Sequence, residues 1–242
     1  MHSTKTSLFT SACFAAVLIA SPALAGTTRP AKNTSTIGQQ GNGEIATVTQ
    51  TGANDVSIVS QIDAASDHNT ATITQIGISG GKSTVTQSGS GNTATVNTAD
   101  DGNIYNVDTG VLNAALPITL STITQSGTGN PATVDQTGIS GGTAQVTQTG
   151  KSDSSSVIQT GNGGTAVVSQ RDASPFAGSS VSTASRKTSS ITQSALSNNA
   201  EIIQQGRRNA STVTETAALN NACVTQLGND NTSTVSQSAT DR

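Results

Sequence analysis

Residues able to do covalent or acid–base chemistry are few in this 242-residue chain, which holds two histidines and two cysteines. A zinc site needs three or four clustered His, Cys or carboxylate ligands. His68 has no cysteine or second histidine near it in the sequence and reads as a solvated loop residue. Asp100, Asp101, Asn103 and Asp108 offer oxygen ligands without the spacing of a calcium loop. Cys223 stands where neighbouring repeats carry an outward threonine; it reads as a small inert residue, or as a thiol able to crosslink chains after export. No catalytic residue, cofactor or metal is predicted, and the chain is expected not to be an enzyme. Its abundant functional group is the carboxamide of Gln and Asn, with two hydrogen-bond donors and an acceptor oxygen.

The carboxamides are spaced with a register. With the glutamine as position zero, a unit recurs at Gln39, Gln50, Gln61, Gln75, Gln87, Thr98, Thr109, Gln125, Gln136, Gln148, Gln159, Gln170, Thr183, Gln193, Gln204, Glu215, Gln226 and Gln237. Most separations are 11 residues, and 14 of the 18 units carry Gln. Two positions earlier every unit has Val or Ile; four earlier, 17 of 18 have Ala or Ser, Tyr105 being the exception. Six earlier, nine have Asn, among them Asn33, Asn92, Asn130, Asn209 and Asn231. A disordered polar linker would not hold Val or Ile at one phase through all of them.

A spacing of two is the strand period, so Asn, Ala/Ser, Val/Ile and Gln share one face. Glycine two residues past the glutamine supplies a tight reversal. One strand with a small, a branched and two amide side chains inside cannot form a core alone and must stack on copies of itself. The sequence therefore predicts an all-β fold: a β-solenoid of strand–turn–strand rungs, about 22 residues each and about nine in number. The predicted inner ladder comprises Gln39, Val48, Gln50, Gln75, Gln87, Asn92, Gln125, Asn130, Gln136, Gln148, Gln170, Gln193, Gln204, Asn209, Gln226, Asn231 and Gln237. Its amides bond to the same residue one rung away. The turn glycines are Gly41, Gly52, Gly77, Gly89, Gly127, Gly138, Gly150, Gly161, Gly206 and Gly228.

Composition agrees once the repeat is seen. Val, Ile, Leu and Phe number 45, about 19% of the chain and near the level below which disorder sets in. Yet charged residues make up only 10%, with both signs mixed. No basic cluster exceeds Arg207-Arg208, so there is no electrostatic footprint for nucleic acid. Lys82, Lys151, Asp153, Arg207, Arg208 and Asp230 are expected in turns or insertions, where charge limits premature aggregation. The apolar insertion 110–120 and the one around 171–178 read as loops over a rung edge.

Lys5, an apolar run from Leu8 to Ala20, and Ser21-Pro22-Ala23-Leu24-Ala25 before Gly26 have the form of a secretory signal peptide. Residues 1–25 are read as that signal, 26–32 as a short N-terminal segment, 33–237 as the repeat solenoid and 238–242 as a tail. No later stretch is apolar enough to cross a bilayer. Cleavage removes Cys13 and leaves Cys223 as the only thiol, which rules out a disulfide within the mature chain.

Gln125-Ser126-Gly127-Thr128-Gly129-Asn130-Pro131-Ala132-Thr133-Val134-Asp135-Gln136 reads Gln-x-Gly-x-Gly-Asn-x-Ala-x-x-x-Gln, which resembles the curlin repeat of bacterial curli amyloid subunits. Gln87 to Thr98 repeats it with the last position changed, and degenerate versions run from about Asn33 to Gln237. The resemblance implies a secreted subunit, major or nucleating, that polymerises with itself and a partner curlin subunit. It further implies extracellular fibres of a biofilm matrix, exported through a curli-type outer-membrane machinery, and adhesion to surfaces or polysaccharide. The chain departs from the family in the short segment before the first repeat and in its scarcity of aromatics.

A second function class comes from outward threonines. Thr47, Thr49, Thr72, Thr74, Thr122, Thr124, Thr212 and Thr214, taken as one face, resemble the threonine ladders of ice-binding proteins. The alternative expectation is a monomeric solenoid that binds ice or polysaccharide.

Overall fold

The computed structural model describes residues 15–20, 33–41, 43–51, 55–62, 68–76, 81–99, 119–137, 141–172 and 186–238. Where the sequence alternates small or branched inward residues with hydroxyls outward, the chain is strand. The elements are β1 (Ala15–Ala20), β2 (Thr34–Gln40), β3 (Ile45–Thr51), β4 (Val56–Ile62), β5 (Thr70–Ile76), β6 (Lys82–Ser90), β7 (Thr93–Ala99) and β8 (Leu120–Thr128). They continue with β9 (Pro131–Thr137), β10 (Thr143–Lys151), β11 (Ser154–Gln159), β12 (Thr165–Arg171), β13 (Thr188–Gln193), β14 (Asn199–Gln205), β15 (Ala210–Glu215), β16 (Asn221–Leu227) and β17 (Thr232–Gln237).

Odd-numbered strands form one sheet in the order β1-β3-β5-β7-β9-β11-β13-β15-β17, and even-numbered strands the other, from β2 to β16. Every pairing is parallel and in register: Gln87 lies beside Gln125, Gln125 beside Gln148. The chain thus alternates between two facing parallel sheets, the β-solenoid its repeat predicts. Both sheets turn their apolar face inward and their polar face to solvent. Val48, Ile73, Val96 and Val134 of the odd sheet and Val59, Val85, Ile123 and Val146 of the even sheet are fully buried in one core that runs along the stack. Beside them each rung pairs one inward Ala with one inward Ser. Serine lies in the even sheet through Ser121 and in the odd sheet from Ser155 onward.

The strand count is eight repeats per sheet rather than nine. The units placed at Thr109 and Thr183 lie outside the described residues. Around them β6 pairs directly with β8, β7 with β9, β11 with β13 and β12 with β14, so neither unit supplies a rung between those strands. The physical reason is parity. The chain leaves the odd sheet at Ala99 and re-enters the even sheet at Leu120, the change of sheet that a single corner makes elsewhere in the stack. Counting the intervening segment as a strand assigns the strands between the two insertions to the wrong sheet. Thr122 and Thr124 consequently lie on the even sheet, apart from Thr47, Thr49, Thr72, Thr74, Thr212 and Thr214 on the odd one. The hydroxyl face assembled from the sequence is corrected accordingly.

Candidate functional site: the inner ladders and the ends of the stack

The even sheet carries an unbroken glutamine ladder. Each Nε2 donates to the Oε1 one rung on: Gln39 to Gln61 at 2.8 Å, Gln61 to Gln87 at 2.9 Å, Gln87 to Gln125 at 2.8 Å, and Gln125 to Gln148 at 2.9 Å. It continues to Gln170 at 3.0 Å, Gln204 at 3.0 Å and Gln226 at 2.9 Å. The same Nε2 atoms reach across the core to backbone carbonyls of the odd sheet, as Gln125 does to Thr93 (3.1 Å) and Gln204 to Thr188 (3.1 Å). The ladder therefore joins the two sheets as well as successive rungs, and it satisfies amides that would cost about 1–3 kcal/mol each if buried unpaired.

The odd-sheet column is interrupted. Gln50 donates to Gln75 (2.9 Å), Thr98 then breaks the chain, and it resumes through Gln136, Gln159 and Gln193 at 2.7 and 2.8 Å. Gln193 donates at 2.7 Å to a carboxylate, Glu215, and the column ends at Gln237. Inward serines link the sheets: Ser57 Oγ donates to Gln75 at 2.6 Å, Ser121 to Gln136, and Ser211 to Gln226 at 2.8 Å.

A corner ladder runs beside the odd sheet. The backbone N–H of Asn92 donates to Oδ1 of Asn69 (2.9 Å), that of Asn130 to Asn92 (3.2 Å), and that of Asn231 to Asn209 (3.1 Å). Asn130 Nδ2 also donates to the Gly150 carbonyl (3.1 Å), which ties its corner to that of the next rung. Those corners explain the glycines. A Cβ on Gly127 would sit 2.0 Å from the Gly150 oxygen, and one on Gly206 would sit 1.9 Å from that of Gly228. Rungs are stacked too closely there for any side chain. Gly52, Gly77 and Gly138 lie outside the described residues.

One expectation about charge fails. Asp153 is not a solvated turn residue but fully buried in the corner ladder, its Oδ1 accepting the Lys187 N–H at 3.1 Å. Lys187 is buried too, its Nζ 3.0 Å from Asp153 and 2.8 Å from Asp172. Lys187 occupies the repeat position that other rungs fill with Asn, and Asp172 that of the corner glycine. The sequence reading placed Glu215 in the ladder register but missed Lys187 together with buried Glu44 and Asp55; the available signal was that each occupies the corner position six residues before a ladder residue. Lys82 and Lys151 are exposed at the ends of strands β6 and β10 rather than in turns, and Arg207, Arg208 and Asp230 are exposed at corners, with Arg208 Nε 2.6 Å from Asp230. His68 is exposed. Cys223 is exposed on the outer face of the even sheet, its Sγ 3.9 Å from Glu201. Among the described residues no three His, Cys, Asp or Glu side chains gather to hold a metal ion.

The outward column of the odd sheet three residues before the ladder carries a hydroxyl on every repeat strand: Thr47, Thr72, Thr95, Thr133, Ser156, Ser190, Thr212 and Thr234. The column beside it, starting Thr49 and Thr74, is interrupted by Asn97, Asp135 and Ile158.

At both ends of the stack the inner residues meet solvent. Ser35, Ile37 and Gln39 of β2 and Ser233, Val235 and Gln237 of β17 are only half-buried, whereas their equivalents on internal strands are buried. β1, from the segment read as a signal peptide, pairs along the outer edge of β3 with Leu18 beside Val48. No family model matches this chain, and no curated protein or solved structure matches it significantly.

Proposed function

We propose that the mature chain is a secreted structural subunit that assembles with itself, end on end, into extracellular cross-β fibres of the curli-like kind, serving biofilm cohesion and adhesion. The observation that carries this reading is the complementarity of the two bare ends. β16 and β17 leave unpaired parallel edges at one end, β2 leaves one at the other, and removal of β1 with the signal peptide bares β3 beside it. Strand alternation then continues across a junction without a break, β17 of one copy being followed by β2 of the next. The ladders have one direction, so the ends match head to tail and not head to head. Gln226 would offer a donor to Gln39 of the incoming copy, and Asn231 Oδ1 would accept from the backbone N–H of its Glu44. Polymerisation by this route uses no catalytic residue or cofactor. Export through a curli-type machinery and a partner curlin subunit belong to the same proposal and rest on the repeat resemblance alone.

The test is to dilute residues 26–242 from denaturant and follow thioflavin fluorescence, sedimentation and fibre diffraction. Seedable fibres with a meridional spacing of about 4.7 Å are expected. Thr234→Pro removes a backbone donor from the edge strand and should stop elongation from that end. A stable monomer that neither seeds nor sediments would overturn the reading. The continuous hydroxyl column favours a second reading, a monomer whose odd sheet binds ice or polysaccharide; inhibition of ice recrystallisation by such a monomer would put it first.

A further inference from the structure

We infer that Glu215 is a proton-operated rung: protonation of its buried carboxyl completes the inner ladder between β15 and β17 and fastens the last strand to the stack. Glu215 is the only carboxylate among the described members of either glutamine column. Elsewhere a rung takes a hydrogen bond on Oε1 and passes one on from Nε2, as Gln204 does to Gln226 at 2.9 Å. Glu215 receives its bond from Gln193 on Oε2 at 2.7 Å and, when ionised, has no hydrogen to pass on. The consequence is visible on both sides of the gap. Glu215 Oε1 and Gln237 Oε1 are buried acceptors that make no hydrogen bond, on residues the register places side by side. A single proton on Oε1 supplies an O–H where other rungs have an N–H, and one bond then satisfies both oxygens.

Among the described residues no other charge competes for this role. The inward residues of β13, β14, β16 and β17, the four strands packed around β15, carry no titratable group. Glu201 on β14 and Cys223 on β16 project from the outer face of the even sheet. Lys187, Arg208 and Asp230 stand at the corners that precede β13, β15 and β17, a full strand length from the ladder position. Burial pushes the Glu215 carboxyl above its ordinary value, and the Gln193 hydrogen bond opposes that in part. A carboxyl raised in the folded state contributes stability that is present at acid pH and lost as pH rises through the raised value. β17 is also the edge that receives the next copy under the proposed function, so that edge is firm in mildly acid surroundings and loose in alkaline ones.

Hydrogen exchange on the full chain, corrected for intrinsic rates, tests this without requiring polymerisation. Protection of residues 232–237, taken relative to β14 and β15, should fall about tenfold between about pH 5 and about pH 8. In Glu215→Gln it should stay at its acid level throughout, because glutamine already fits this column at other rungs. A native chain whose β17 protection is flat with pH, or a Glu215→Gln chain that loses protection in parallel with it, overturns the inference. Seeded elongation run beside it separates the two proposals. If nothing elongates at any pH while the exchange contrast persists, the fibre reading fails and the proton-operated rung stands. If both chains elongate with the same pH dependence, the rung has no part in assembly and the inference fails.

Discussion

Three glycine-to-alanine substitutions separate the two costs that a corner of this solenoid imposes. Gly127 has φ 118°, and a Cβ there would lie 2.0 Å from the Gly150 oxygen and 3.0 and 3.1 Å from the same residue's carbon and nitrogen. These are backbone atoms, unable to rotate away. Reaching an ordinary van der Waals separation of 3.4 Å requires the neighbouring rung to move about 1.4 Å. The bonds from Ser152 N to Thr128 O (3.0 Å) and from Asn130 Nδ2 to Gly150 O (3.1 Å) do not survive such a shift. Two lost bonds at about 1 kcal/mol each and roughly 1–3 kcal/mol of backbone strain give about 3–5 kcal/mol for Gly127→Ala. Gly129 has φ 64° with nothing within 4 Å of its Cβ position, and Ser152, Arg208 and Asp230 hold the equivalent place at φ 59°, 54° and 61°. Gly129→Ala should therefore cost only about 1 kcal/mol. Gly38 has open space and an unexceptional φ, so alanine there should stabilise by roughly 0.5–1 kcal/mol. Denaturant midpoints of the three full-length variants provide the measurement. Gly127→Ala falling within about 1 kcal/mol of Gly129→Ala would refute the close-stacking argument.

Gln125→Leu should destabilise by roughly 2–4 kcal/mol in the same assay, because it strips hydrogen bonds from the Thr93 and Asn130 carbonyls and from Gln148 in the middle of the core. Thr98→Gln should instead restore the broken odd-sheet column between Gln75 and Gln136 and raise stability by about 1 kcal/mol. Lys187→Met leaves the Asp153 carboxylate buried without its ammonium and should cost about 3–5 kcal/mol. The double change Asp153→Asn with Lys187→Asn rebuilds the neutral corner ladder and should recover most of that loss; no recovery would show that the pair does more than fill two ladder positions.

The repeat register made the fold class legible because every strand repeats the same inward set. Val48 and Gln50 could be assigned to the interior from spacing alone. The strand count was not legible, because Val107 and Thr109 satisfy the local pattern while the sheet alternation passes them by. That alternation is a relation between distant strands, β6 with β8 and β7 with β9, and no window of eleven residues contains it. Lys187 was hidden for a different reason. A charge at a ladder position reads as a turn residue until Asp153 and Asp172 are found beside it, 34 and 15 residues away in sequence. The bare ends are likewise a property of where the stack stops.

Alternation between sheets also has a hereditary consequence. Duplicating or deleting two units changes the length of the stack and leaves every later strand on its own sheet. Changing it by one unit transfers every downstream strand to the opposite face, carrying each outward hydroxyl, each inward Ser or Ala and each corner Asn with it. The insertion between Ala99 and Leu120 is harmless by this rule, whatever its length, because it leaves one sheet and re-enters the other as an ordinary corner does. The quantum by which such a gene can lengthen its product safely is therefore the pair of repeats, although the pattern visible in the sequence is the single one.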